Sequence, residues 1–113
     1  MNDFPVIIYY SDGRVNDTRR LSGDIETQLH QMYDIIGCDY IEIVRLRPDL
    51  CLIVDDCGMI NDSKINPHAS ALYGGLIFGT AILAGVRPGD DGDEICAPFD
   101  AAFWQRIEKL HNM

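Results

Sequence analysis

The chain has 113 residues and a mass of 12.7 kDa, the size of one domain. Its 47% hydrophobic and 24% charged residues are the composition of a soluble globular protein. With 18 acidic against 9 basic residues the net charge is −9, which lacks the clustered positive surplus that direct nucleic-acid binding requires.

Residues 5–10 are short, apolar and β-branched, and Ser11, Asp12 and Gly13 supply a turn. The polar stretch 14–21 is the expected hairpin partner, at a sheet edge. A helix follows over about residues 24–36. Ile25, Leu29, Met32 and Ile36 recur at helical spacing on one face, Ser22 or Asp24 can cap its start, and Gly37 suits a left-handed stop.

Residues 40–54 read as a hairpin turning at Pro48 and Asp49. Alternation puts Ile41, Ile43, Arg45 and Arg47 on one face of its first strand and Glu42, Val44 and Leu46 on the other. Both faces are partly apolar, which predicts an interior strand in a half-covered sheet. The second strand ends in the turn Asp55-Asp56-Cys57-Gly58. Residues 58–73 are turn-rich, with a short helix at 67–73 opened by Pro67.

The run 76–86 is apolar on both faces and predicts a central strand, with Gly79 and Gly85 marking a bulge or a close backbone approach. It is also the longest apolar run, well short of the roughly 18–20 residues of a membrane helix. Residues 87–94 form an acidic hairpin tip leading to a short strand near 94–96. A final helix is expected over about residues 100–111. Asp100 is its N-cap, Phe99 and Trp104 its staple, and Phe103, Ile107 and Leu110 its buried stripe. The fold class is α+β: a single domain over residues 1–113, with a small mixed or antiparallel sheet and two main helices.

No catalytic signature accompanies these elements. The loops and spacings of nucleotide-binding, α/β-hydrolase and zinc-protease motifs are all missing. Asp90, Asp91, Asp93 and Glu94 lack calcium-loop spacing and read as a solvated tip. Asp55 and Asp56 read as turn chemistry, because strand neighbours point to opposite faces unless the strand ends there. Cys38, Cys51, Cys57 and Cys96 form no C-x-x-C and read as buried, reduced thiols. No metal or cofactor is expected.

Two features carry a binding expectation. Arg45 and Arg47 rise from one strand face, with Arg19 and Arg20 as further candidates across the sheet. Such arginines either grip a carboxylate or phosphate bidentately or pair with surface acids, and both readings stand. The second feature is the polar turn and helix start at Asn66 and His68, with Tyr73 and Phe78 available to stack on a base. The bland alternative there is that Asn66 caps the short helix. The candidate ligand-binding residues are therefore Arg45, Arg47, Asn66, His68, Tyr73 and Phe78.

Several of these segments, in order, resemble a family of short proteins called domain of unknown function thirty-eight forty-six. They are residues 40–44, the strand and turn 52–58, Asn66 and Pro67 with Ala69, the strand 79–85, and an acidic loop before a last helix. The family's turn usually carries Glu-Glu-Gly or Asp-Glu-Gly, whereas here Cys57 precedes Gly58. Members occur largely in phages and mobile elements of bacteria, so the resemblance implies a small accessory protein without assigning an activity.

The expectation is a non-enzymatic binding protein that sequesters a small nucleotide-like defence signal. The alternative is an acidic protein-binding inhibitor of a host enzyme, including by DNA mimicry. The partners expected are a small nucleotide-like ligand or a host protein, with no membrane and no direct nucleic-acid binding. A homo-oligomer is expected where such a site forms between subunits. No basic segment precedes an apolar one at the N-terminus, so a cytoplasmic setting is expected, that of the host if the chain is phage-encoded.

Overall fold

Asp24 opens the first helix, α1 (Ile25–Ile36), by accepting the Thr27 N–H at 3.0 Å and the Thr27 hydroxyl at 2.7 Å. Gly37 closes it at φ 74°, its N–H donating to the Tyr33 carbonyl at 2.8 Å. The buried face differs from the expected stripe. Leu29 is exposed and Gln28 is buried in its place, beside Met32, Ile35 and Ile36. A polar residue can take that position because the Gln28 amide donates to the Ser22 carbonyl at 3.0 Å.

The computed structural model describes residues 3–16, 19–38, 40–47, 50–56, 64–88 and 94–97, with the backbone alone at 25, 47, 86–88 and 94–97. The expected helix at 100–111, the acidic tip and the turn around Cys57 lie outside the described residues, as does the Cys96 side chain. No described helix is long and apolar enough to cross a membrane.

The N-terminal run forms two strands, β1 (Phe4–Pro5) and β2 (Ile7–Tyr9), rather than one. Pro5 has no N–H to donate, and the contact continues through the Val6 N–H to the Arg19 carbonyl at 3.0 Å. The expected partner also divides, with β3 (Val15–Asn16) pairing β2 and β4 (Arg20–Leu21) pairing β1. The remaining elements are β5 (Ile41–Arg47), β6 (Leu50–Asp55), α2 (Pro67–Tyr73), β7 (Ala81–Pro88) and β8 (Glu94–Ala97). The main sheet is antiparallel throughout and runs β3-β2-β7-β6-β5, while β1 and β4 form a separate two-stranded sheet. Gly85 pairs with both Leu50 and Ala97, so β8 lies on the side of β7 away from β6, in line with β2.

Two corrections follow from this order. β5 stands at the edge, and the interior position belongs to β6, where residues 50–54 are all buried. The mixed faces of β5 are those of an edge strand half-shielded on both sides, and so do not mark a central one. Nor is the sheet half-covered. On one face Val6, Ile8, Cys51, Ile53 and Ile82 pack with Met32 of α1, and Ile41 and Ile43 lean on the cluster. On the other, Ile7, Tyr9, Leu52, Val54 and Leu83 pack with Ala69 of α2 and Ile77, with Val44 and Leu46 at the margin. Each such apolar side chain, fully buried, contributes about 1.5–3 kcal/mol.

The central strand also starts later than expected. β7 begins at Ala81, and residues 76–80 form an irregular strap beneath α2. Gly79, at φ 78°, breaks the extended run in a backbone region that side chains disfavour. The strap is tied down by Asn66 N–H to Ile77 O at 2.7 Å, Gly79 N–H to Lys64 O at 2.8 Å, and a bridge between Ile65 and Phe78.

Candidate functional site

The sheet places the expected site residues on different faces. Arg45 pairs with Cys51 and so belongs to the α1 face, where its side chain is exposed. A bulge then shifts the register, leaving Arg47 opposite Leu50, so the alternation that put the two arginines together is interrupted between them. Arg20 donates to the Asp3 carbonyl at 2.8 Å in the small sheet. Arg19 lies beside β1 and β2, and lines a cleft of about 210 Å³ with Tyr10, Asn16 and Asp34. Three inter-strand steps, about 14 Å, separate β2 from β5. Arg19 and Arg45 therefore do not form one arginine cluster.

Asn66 is fully buried and holds the frame. Its Oδ1 accepts the Ala69 N–H at 3.1 Å, capping α2, and its Nδ2 donates to Tyr9 O at 2.7 Å and Gly79 O at 2.9 Å. The capping alternative thus describes its position. His68 sits two residues on, with Nε2 3.1 Å from the Gly13 carbonyl and its ring stacked on Tyr9 at 5.5 Å. A carbonyl only accepts, so Nε2 carries the proton. Burial raises the pKa of the Tyr9 phenol far above its ordinary value. These contacts tie α2 to the β2–β3 turn.

Tyr73 and Phe78 come together on the α2 face. They border a cleft of about 200 Å³ between the end of the β5–β6 hairpin and the strap. Its floor is apolar, from Val44, Val54 and Ile77, and its rim carries Leu76 at 64% exposure and Tyr73 at 49%. Ser70 anchors the strap there: its hydroxyl accepts the Ile77 N–H at 2.9 Å and lies 3.3 Å from the Ile77 carbonyl. Gly75 leaves room for the Tyr73 ring, since a Cβ at that position would meet its edge at 3.2 Å.

Three acids that were absent from the expected site line this cleft: Glu42, Asp55 and Asp56. Glu42 pairs with Val54 and so shares the cleft's face. The Asp56 N–H donates to the Tyr40 carbonyl at 3.1 Å, which carries the same register one step past the strand and leaves Asp56 opposite Tyr40, diagonal to Glu42 on the cleft's face. Asp55, opposite Ile41, alternates onto the α1 face and borders the cleft from the strand end. No Lys or Arg lines this cleft among the described residues. Sequence reading weighed Asp55 and Asp56 and set them aside as turn chemistry, and it did not single out Glu42, because only the pairing of β5 with β6 brings Glu42 and Asp56 to one cleft.

The arrangement can hold a cation against aromatic faces with carboxylates beside it. No cluster of three or more His, Cys, Asp or Glu side chains suited to a metal occurs among the described residues. Compared with known proteins, no curated protein and no solved structure matches the chain. A family model described as Domain of unknown function (DUF3846) matches residues 12–107.

Proposed function

The chain belongs to that family, and from this premise we propose that it is a non-enzymatic accessory protein that binds another protein through the acidic, aromatic-rimmed cleft on the α2 face. The observation that carries this reading is the cleft itself, in which exposed Tyr73 and Leu76 flank an apolar floor beneath Glu42 and Asp56. Exposed large apolar side chains gathered beside one depression mark interaction surfaces. A volume of about 200 Å³ falls below the roughly 300–1,000 Å³ of small-molecule sites, which favours a side chain protruding from a macromolecule.

Capture of a nucleotide-like signal draws less support. Arg45 and the aromatics lie on opposite faces, and phosphates entering the cleft would meet carboxylates. The phage or mobile-element setting implied by the family resemblance suits an inhibitor of a basic host enzyme.

The test is photocrosslinking in cells, with p-benzoylphenylalanine in place of Tyr73 or of Arg45. The proposal expects a discrete protein adduct from position 73, absent from position 45 and lost when Glu42→Gln and Asp56→Asn are added. Purified protein that retains a nucleotide until Arg45→Ala is introduced, with no adduct at position 73, would overturn it.

A further inference from the structure

We infer that the cleft takes an arginine side chain of the partner, its guanidinium lying against Tyr73 and Phe78 and hydrogen-bonded to Glu42 and Asp56. The inference rests on the protein-binding reading and adds the chemistry of the contact.

The docking feature is the apolar depression of Val44, Val54 and Ile77, and charge selects its occupant. Glu42 and Asp56 share one face, the lining has no described cation to neutralise them, and the chain carries a net charge of −9. An anionic or purely apolar occupant would bring those carboxylates no compensating partner. A cation on an apolar stem satisfies both parts of the surface.

Between the two cationic side chains, the geometry favours arginine. A guanidinium is planar, sheds water more readily than an ammonium and stacks on aromatic faces while its edge donates to carboxylates. The ammonium of lysine is a strongly hydrated point charge that gains less from a ring face. Tyr73 presents its half-exposed ring at the cleft rim, where the absence of a side chain at Gly75 leaves the ring room.

The experiment is an amide NMR titration of the full chain with N-acetyl-arginine methylamide, against N-acetyl-lysine methylamide and inorganic phosphate. The arginine probe is expected to shift the amides of Glu42, Asp56 and residues 73–78. The lysine probe should bind at least threefold more weakly, and phosphate should leave those signals in place. Glu42→Gln and Tyr73→Ala, both at exposed positions, should each weaken the arginine response severalfold, and Asp34→Asn on the opposite face should not. Equal responses to lysine and arginine, or shifts confined to the α1 face, would overturn the inference. A protein adduct at position 73 without an arginine response defeats this inference alone; loss of both defeats the binding reading as well.

Discussion

At position 66 a single amide side chain joins three segments of the molecule. It caps α2 while gripping the carbonyls of Tyr9 and Gly79, all in a fully buried position. Asn66→Ala removes the cap and leaves the buried Tyr9 carbonyl and the part-buried Gly79 carbonyl each short of a donor. A cost of about 3 kcal/mol is expected, read from urea denaturation, and a loss below about 1 kcal/mol would contradict this assignment. Asp24 makes a different prediction. Hydrogen bonds from the Thr27 hydroxyl and then the Thr27 N–H hold its carboxyl below the ordinary 3.8. A depressed folded-state value means that the ion stabilises the fold above the unfolded value, and that this is lost as pH falls through the folded one. Asp24→Asn keeps a capping oxygen without the titration. Its melting temperature should therefore fall less between pH 7 and strongly acidic solution than that of the parent chain; an equal fall would remove Asp24 from the acid response.

At the scale of elements, α1 and the strap before β7 show where periodicity stops being a guide. The helix's existence, its cap and its glycine stop were legible, because each depends on local spacing and local hydrogen bonds. Which residue enters the core at its first turns was not, because Gln28 displaces Leu29 only once Ser22 offers it a carbonyl. Leu29→Lys should accordingly change stability by no more than about 0.5 kcal/mol, while Met32→Ala should cost about 2–5 kcal/mol. Similar losses from both would restore the expected stripe. In the strap, hydropathy reads residues 76–80 as strand, whereas the left-handed Gly79 and the bonds to Lys64 and Ile77 make them a support for the cleft. Gly79→Ala should cost about 1–2 kcal/mol, the penalty of a side chain in that conformation, and should weaken partner capture with it. An unchanged urea midpoint would mean that the backbone there relaxes freely.

For the whole molecule, the sheet's two faces divide the chemistry. One buries against α1 and carries Arg45 at its margin; the other buries against α2 and opens into the acidic cleft. With a net charge of −9, association with a basic partner should be screened by salt. Raising ionic strength from about 0.05 M to about 0.5 M should reduce the crosslinked yield at position 73 severalfold. Arg45→Ala should leave that yield unchanged, and a salt-independent adduct would argue against charge as the selector.

The sequence by itself determined the α+β class, the hairpins, both helix caps and the short helix at Pro67, because each follows from turn chemistry, capping or alternation within a few residues. It also pointed to Tyr73 and Phe78 as aromatics available for stacking. Only the tertiary structure decided that β5 is an edge and β6 an interior strand, that a bulge separates Arg45 from Arg47, and that Glu42 and Asp56 line one cleft with those rings. Strand order and register depend on pairings between distant segments, and a slip of one residue sends every side chain to the opposite face.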